Sequence, residues 1–337
     1  MRNFLLALLL VFTLGFILTR GAEVQQIAAT LQRGDVRWIS LALAIQFAWI
    51  VNVGASLRAI FRALGVGERL RDLIPMAMVV NLVSVVTPTI GMGGMAYFIG
   101  RARQRGHPVG RATTAAAMYL LYDYFAVLVV IGLGLIVLVR RNQLTSGEVF
   151  ASVFLAAYAG VLAFVLYLGM RSAHRFGDAL AALGKVGNRI LRPFVKRDRF
   201  DVLHAHEFAR DIAEGLEAAR QTPGGLVLPA ALALSNKAWM IATLFLMSLA
   251  FGQPFSVGTL IAGYSIGALF AVVSPTPSGL GFVEGAMTLV LTSLNIPLAS
   301  AAVITLAYRG VTFWFPLLLG FVALRWTERV SDRTGAA

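Results

Sequence analysis

The chain has no cysteine and few charged residues. The absence of cysteine excludes a disulfide framework, a thiol nucleophile and a thiolate metal site within this sequence. Only 13% of the 337 residues are charged, whereas 58% are hydrophobic. This balance excludes an ordinary soluble domain, which needs a hydrated surface. Uncharged stretches of about 20 residues are instead typical of helices that cross a bilayer with a hydrocarbon core of roughly 30 Å.

Acidic residues are scarcer than basic ones. The 16 Asp and Glu stand against 29 Lys and Arg, which gives a net charge of +13. In a soluble protein this excess would indicate nucleic-acid binding, but here we expect basic loops that face the cytoplasm and its anionic lipid leaflet. We therefore predict membrane lipids, with an anionic head group, as partners, and no nucleic acid. We also predict no cofactor and no bound metal.

Eight hydrophobic segments follow one another along the chain, and two of them are interrupted. The interruptions contain Pro88 with Gly94, and Pro275 with Gly279 and Gly281. Proline removes a backbone donor and glycine relaxes the helix, so neither segment continues as one regular helix. The first segment begins like a secretory signal but lacks a small-x-small cleavage site, so we predict a retained helix. The segments are Asn3–Thr19, Trp38–Leu57, Leu73–Gly100, Ala112–Val139, Val149–Met170, Leu226–Ala250, Val257–Leu294 and Leu298–Leu324.

The distribution of Lys and Arg favours one topology. If all eight segments crossed, the most basic loop, residues 171–222, would lie outside, against the positive-inside rule. If both interrupted segments are re-entrant hairpins, 22 basic residues lie inside, five lie outside, and Lys237 and Arg309 lie within the membrane. We therefore predict cytoplasmic N- and C-termini. Residues 171–222 then form a basic cytoplasmic loop with an amphipathic helix.

The two interruptions resemble each other. Residues 85–94 and 272–281 share five identities in ten positions, and the preferred topology inserts them from opposite faces. These features predict an inverted repeat, a common plan among transporters. The predicted fold is thus an all-α integral membrane protein with six full crossings and two re-entrant or broken-helix hairpins. Residues 1–327 form one polytopic domain and 328–337 a short cytoplasmic tail.

Four ionisable residues lie at membrane depth, where a charge is costly and usually faces a cavity or a partner. Asp123 and Arg309 lie near the middle of their segments, each after a tyrosine, and they are 186 residues apart. This correspondence predicts a direct Asp123–Arg309 ion pair. Lys237 is expected either to pair with an acid or to meet a lipid phosphate. Glu284 either stabilises a helix N-terminus or meets a cation or proton in the cavity.

Two sequence motifs resemble a known family. The run Pro275-Thr276-Pro277-Ser278-Gly279-Leu280-Gly281-Phe282-Val283-Glu284, followed by Tyr308-Arg309 and Phe313-Trp314-Phe315-Pro316, resembles the P-x-P-G-G-L-G-x-x-E, Y-R and F-W-x-P pattern of the lysylphosphatidylglycerol synthase transmembrane (flippase-like) family. Asn81, Pro88, Gly93-Gly94, the basic turn Arg101–Arg105 and Asp123 resemble its N-terminal half. Leu120 and Ser278 depart from the pattern, where many members carry arginine and glycine.

The resemblance implies a function in lipid translocation. The family includes the lipid-translocating membrane half of the multiple-peptide-resistance proteins and stand-alone members linked to hopanoid lipids or envelope glycolipids. The chain ends shortly after Leu324, so a cytoplasmic aminoacyltransferase domain, and hence aminoacylation, is not expected. We therefore expect a lipid flippase or transporter of the bacterial inner membrane that is not an enzyme. Its lipid is a phospholipid, aminoacyl-phospholipid, hopanoid or glycolipid.

The predicted lipid site lies between the two hairpin tips. Helix N-termini after Gly94 and Gly281 are expected to receive a phosphate. Two alternatives remain open: a membrane-embedded transferase for lipid-linked substrates, and a non-catalytic envelope-assembly scaffold or channel. Protein partners are a second copy of the chain or an envelope lipid-synthesis enzyme. The predicted lipid-binding residues are Asn81, Pro88, Gly94, Asp123, Lys237, Pro275, Gly279, Gly281, Glu284, Tyr308 and Arg309.

Overall fold

A computed structural model describes residues 21–86, 92–143, 146–171, 224–274, 276 and 279–334, together with Glu217 and Gln221. All regular secondary structure within these residues is helical. Helices satisfy their own backbone hydrogen bonds, which a lipid environment requires. In chain order they are α1 (Gly21–Leu31), α2 (Val36–Ala63), α3 (Leu70–Val86), α4 (Met92–Gln104), α5 (Val109–Arg140), α6 (Ser146–Arg171), α7 (Val227–Ala250), α8 (Val257–Val273), α9 (Phe282–Ser293), α10 (Leu298–Arg309), a π-helical turn (Gly310–Trp314) and α11 (Phe315–Thr334).

Four helices in the described part are long and apolar enough to cross a membrane. They are α2, α5, α7 and the continuous stretch Leu298–Trp326. Large apolar side chains such as Phe47, Leu133 and Leu318 remain exposed on them, as expected where lipid is the solvent. The predicted segment Asn3–Thr19 and the predicted amphipathic helix of the basic loop lie outside the described residues. The chain is a multi-pass membrane protein.

The first interrupted segment forms a hairpin of two helices. α3 ends at Val86 and α4 begins at Met92. A β-carbon on Gly94 would overlap Ser84 and the Val80 carbonyl, so α4 packs directly on α3. Glu68, just before α3, bonds to Arg105 and His107, just after α4, at 3.0 and 2.6 Å. Both ends of the hairpin therefore lie at the same end of the bundle.

The second interrupted segment forms a similar hairpin from α8 and α9. Gly263 lies against Leu291, and Gly267 lies against Met287, so the two helices run antiparallel. Gly279 and Gly281, between them, have φ angles of 72° and 82°. Residues with a β-carbon rarely adopt such angles, which explains why glycine occupies both positions. α3 and α8 each contain 17 residues.

α2 and α7 pack against each other in opposite directions at the centre of the bundle. The Asp35 amide, before α2, donates to the carbonyl of Ala250 at the end of α7, at 2.9 Å. Further along, Gln46 donates to Thr243 at 3.0 Å, and Asn52 donates to Asn236 at 2.7 Å. Across these three contacts the residue number rises along α2 and falls along α7, so the helices are antiparallel.

The hairpins also pack in a matched way on the long helices. A β-carbon on Gly134 of α5 would overlap Ser265 of α8, and one on Gly320 of α11 would overlap Met78 of α3. Each hairpin's first helix therefore lies against a glycine of a long helix from the other half of the chain. Small residues at such contacts let helix backbones approach closely.

Candidate functional site

A polar cavity of about 250 Å³ lies between the long helices and the second hairpin. α5, α7 and α10 contribute charged side chains to its wall, and α8 and the π-helical turn contribute further polar groups. The lining residues are Trp49, Val53, Tyr119, Asp123, Val127, Asn236, Lys237, Met240, Tyr264, Gly267, Ala268, Ala271, Val272, Val283, Tyr308, Arg309 and Thr312.

Asp123 and Lys237 form an ion pair in the wall of the polar cavity. The Lys237 ammonium lies 2.5 Å from a carboxylate oxygen of Asp123. The pair joins α5 to α7, and 32% of the Asp123 side chain is exposed, against 11% for Lys237. The expected pairing of Lys237 with an acid is therefore present, and contact of Lys237 with a lipid phosphate stays a prediction. Pairing lowers the cost of holding either charge at membrane depth.

Arg309 and Glu284 form a second ion pair, at 2.6 Å between Nε and a carboxylate oxygen. The other carboxylate oxygen of Glu284 accepts the Gly281 amide at 2.7 Å, so the carboxylate also stabilises the start of α9. The Arg309 guanidinium lies over the Phe313 ring at 4.3 Å, a cation–π contact between the end of α10 and the π-helical turn. Arg309 is 7% exposed, so these contacts hold a buried charge in one place.

The predicted direct Asp123–Arg309 pair is wrong. Both residues line the polar cavity, yet Asp123 pairs with Lys237 and Arg309 with Glu284. The reason is geometric: α7 and α9 place an opposite charge closer to each of them.

The two helix N-termini that were expected to receive a phosphate also differ from the prediction. α4 begins at Met92, so Gly94 lies inside the helix and does not precede it. At the other start, the Gly281 amide is already bonded to Glu284.

A second cavity, of about 140 Å³, adjoins the polar one and is almost entirely apolar. Trp49, Val53 and Tyr119 line both cavities and form their common wall. Asn81 and Ser84, on α3, are the polar side chains of the apolar cavity besides Tyr119 and Trp49. Its other lining residues are Ile50, Leu57, Ala77, Met78, Val80, Met95, Phe98, Ala116 and Pro316.

The structure brings together only part of the predicted lipid-binding set. Asp123, Lys237, Tyr308 and Arg309 line the polar cavity, while Asn81 lines the apolar one. Glu284 joins the polar group through Arg309. The glycines have packing or turn roles: Gly94 and Gly279 make close helix contacts, and Gly281 precedes α9. Pro88 and Pro275 lie outside the described residues.

Sequence reasoning missed five residues that bring polar groups to the cavity. They are Trp49, Tyr119, Asn236, Tyr264 and Thr312. Helical spacing was a usable signal, because Tyr119 lies four residues before Asp123 and hence on the same face of α5. Asn236 also accepts the Asn52 amide, which ties the wall of the cavity to the central α2–α7 contact. Tyr264 had a weaker signal, as one of few polar side chains in the apolar helix α8.

Comparison with known proteins gives a consistent result. The profile described as the lysylphosphatidylglycerol synthase TM region matches residues 4–320. A UPF0104 membrane protein of Methanocaldococcus jannaschii is 23% identical over 333 residues, which cover 97% of this chain and 96% of that protein. A second, from Methanothermobacter thermautotrophicus, is 23% identical over 321 residues, covering 91% and 92% of the two chains. The chain belongs to the lysylphosphatidylglycerol synthase transmembrane-region family.

Proposed function

We propose that this protein carries a polar lipid from one leaflet of the cytoplasmic membrane to the other. The observation that carries the proposal is the pair of adjoining cavities, one charged and one apolar, with a common wall. An amphipathic molecule matches this pair, because its head group needs polar partners and its chain needs an apolar surface. Small-molecule sites in proteins have the same composition, apolar walls with a few placed polar groups.

The helix arrangement supports transport by alternating access. We propose that residues 36–143 and 227–334 are inverted repeats, each with a long helix, a re-entrant hairpin and a second long helix. The antiparallel packing of α2 on α7 supports this proposal, because it follows when equivalent helices are inverted. So do the connections before and after the hairpins, which have six and four residues in both halves. Inverted repeats commonly place the substrate near the bilayer midplane, at their interface.

The size of the cavities limits how much of a lipid they enclose. The apolar cavity, at about 140 Å³, is smaller than a whole acyl chain. We propose that only the head group and the first part of a chain enter the protein, and that the remaining chain stays in the bilayer. The exposed apolar side chains along α2 and α5 provide a surface for it.

Purified protein in liposomes tests the proposal. Lipids with a fluorescent head group are placed in both leaflets, and an impermeant quencher then reports how fast inner lipids reach the outer leaflet. We expect faster exchange with the protein than in empty liposomes. An impermeant amine-reactive reagent gives the same readout for native aminolipids. If both lipid classes keep their leaflet, the proposed function is wrong. A chemically changed lipid, detected by mass spectrometry, would favour the transferase alternative.

Variants at the cavity connect the activity to the site. Lys237→Gln removes one cation of the polar wall, and we expect exchange to slow at least about tenfold, a difference of about 1.4 kcal/mol in the barrier. Arg141→Gln is the matched control, because Arg141 is an exposed cation at the end of α5 that bonds to Ser256. We expect the control to stay close to the unmodified protein. If Lys237→Gln and Arg141→Gln reduced the rate of lipid exchange equally, the cavity would have no specific role in transport.

A further inference from the structure

The two ion pairs of the polar cavity are held differently. Glu284 is fixed on both sides, by Arg309 and by the Gly281 amide. Asp123 bonds to Lys237 across the gap between two helices, and about a third of its side chain is exposed. An entering ligand therefore meets the Asp123–Lys237 pair as the more accessible one. A head group that carries a negative charge competes with Asp123 for the Lys237 ammonium.

The charges around the cavity already balance before a ligand enters. Within the described residues, Asp123 and Glu284 each bring one negative charge, and Lys237 and Arg309 each bring one positive charge. An anion that takes Lys237 would leave the Asp123 carboxylate without its counter-ion. An unpaired charge at membrane depth is unfavourable, because neither lipid nor the apolar walls solvate it. A protonated carboxyl group avoids this cost, because it is neutral and donates a hydrogen bond.

We propose that an anionic lipid head group and one proton occupy the polar cavity together. The head group binds Lys237, and Asp123, released from its ion pair, carries the proton. This inference rests on the proposed lipid transport and adds that the transport is coupled to protons. The site has zero net charge both when it is empty and when it holds the anionic lipid with one proton. Neither form therefore moves net charge across the membrane when the protein changes from one open state to the other. Transport of a singly charged lipid then responds to a pH gradient and not to the membrane potential.

Of the described groups that line the cavity around Asp123, none is a second acid that could take up the proton. α7 presents Lys237, α8 presents Tyr264, and α10 presents Tyr308 and Arg309, while Tyr119 lies on the same helix. Tyrosine is ordinarily neutral near pH 7, and Lys237 is occupied by the bound head group. α2 and α9 contribute Trp49, Val53 and Val283, which do not titrate. Glu284, beyond Arg309, keeps its own cation.

Calorimetry on the purified protein tests the proton uptake directly. Short-chain phosphatidylglycerol is titrated in two buffers with different ionisation enthalpies, which gives the number of protons bound with the lipid. We expect about one proton per lipid for the unmodified protein and none for Asp123→Asn, which keeps Lys237 available to the anion. Asp123→Glu retains a titratable carboxyl group and should retain the uptake. Glu68→Gln, a carboxylate control at the bundle end, should also retain it.

Zwitterionic short-chain phosphatidylcholine provides the contrasting ligand. Its head group brings its own cation for Asp123, so we expect binding without proton uptake. The proposal is overturned if phosphatidylglycerol binds without a proton, if Asp123→Asn leaves the uptake unchanged, or if only the zwitterionic lipid binds.

Liposomes that contain a pH-sensitive dye separate this inference from the proposed function. We expect one proton to enter for each anionic lipid that the unmodified protein moves, and a ratio of protons to moved lipid close to zero for Asp123→Asn. Lipid movement without proton entry in the unmodified protein would overturn the coupling and leave lipid transport standing. If neither the anionic nor the zwitterionic lipid changes leaflet, the proposed function itself is wrong.

Discussion

Gly134 on α5 lies directly against Ser265 on α8, so close that a β-carbon at position 134 would overlap the serine side chain. The Ser265 hydroxyl donates to the Val130 carbonyl, one turn before Gly134, at 2.8 Å. Lipid tails are as apolar as most side chains, so helices in membranes associate mainly through close packing and hydrogen bonds of this kind. The contact fixes the second hairpin to the helix that carries Asp123.

Enlarging Gly134 should separate these helices. We expect Gly134→Leu to destabilise the protein by about 1–3 kcal/mol, the usual cost of overpacking a tight contact. Gly132→Leu is the control, because a β-carbon at Gly132 meets no neighbouring atom within 4 Å. Thermal unfolding in mild detergent, followed by tryptophan fluorescence, measures both. Equal melting temperatures for the two variants would contradict the packing.

The positions of the helices followed from the sequence to a large extent. The predicted segment Trp38–Leu57 lies within α2, and the segment Ala112–Val139 lies within α5. The interrupted segment Val257–Leu294 divides into α8 and α9, with glycines at positive φ between them. Hydropathy and turn residues are local properties, and they decide where a membrane helix begins, breaks and ends. The six full crossings and the inverted repeat stay a prediction.

The charged residues of the site were also predictable, but their pairing was not. Asp123, Lys237 and Arg309 stood out because a charge at membrane depth is rare and costly. Which acid meets which base depends on how each helix is rotated about its axis, and packing contacts such as Gly134 with Ser265 decide this rotation. The sequence symmetry between Asp123 and Arg309 gave no information about rotation, which is why the predicted pair was wrong.

The pairing found in the structure predicts a specific pattern of coupling. Glu284→Gln leaves the buried Arg309 guanidinium without its carboxylate, so we expect a loss of about 3–5 kcal/mol. Glu284→Gln combined with Arg309→Gln should recover part of this loss, since no unpaired charge remains. A cycle of unfolding free energies measures the coupling. The cycle of Asp123→Asn with Arg309→Gln should give a smaller coupling energy than the Glu284–Arg309 cycle. A larger coupling energy would support a direct Asp123–Arg309 pair instead.

The proposed topology places the bases of the two hairpins on opposite sides of the membrane. The chain has no cysteine, so a single introduced cysteine reports its own position. Arg103→Cys places one in the last turn of the first hairpin, and Pro254→Cys places one just before the second. We expect an impermeant thiol reagent applied to intact cells to label the cysteine of Pro254→Cys and not that of Arg103→Cys. Gln143→Cys, at the end of α5, is the control for the outer side. Labelling of both hairpin bases from outside would exclude the inverted arrangement.

Asn52 on α2 supports the wall of the polar cavity through Asn236 on α7. Its amide group lies within hydrogen-bond distance of the Asn236 side chain, the Ser235 hydroxyl and the Leu232 carbonyl, at 2.7, 2.8 and 3.0 Å. Asn236 is 4% exposed and lines the cavity next to Lys237. A buried amide that loses its partner costs more than the bond itself contributes, because the remaining polar atom stays desolvated.

Asn52→Ala should therefore weaken both the fold and the site. We expect a loss of about 0.5–2 kcal/mol in unfolding free energy, the range for hydrogen bonds between membrane helices. Thr113→Ala is the matched control, because the exposed Thr113 hydroxyl donates to the Val109 carbonyl of its own helix. Lipid exchange in liposomes should slow in Asn52→Ala and not in Thr113→Ala, since only Asn52 holds the helix segment that presents Lys237. Unchanged exchange in a destabilised Asn52→Ala protein would assign this hydrogen bond to the fold alone.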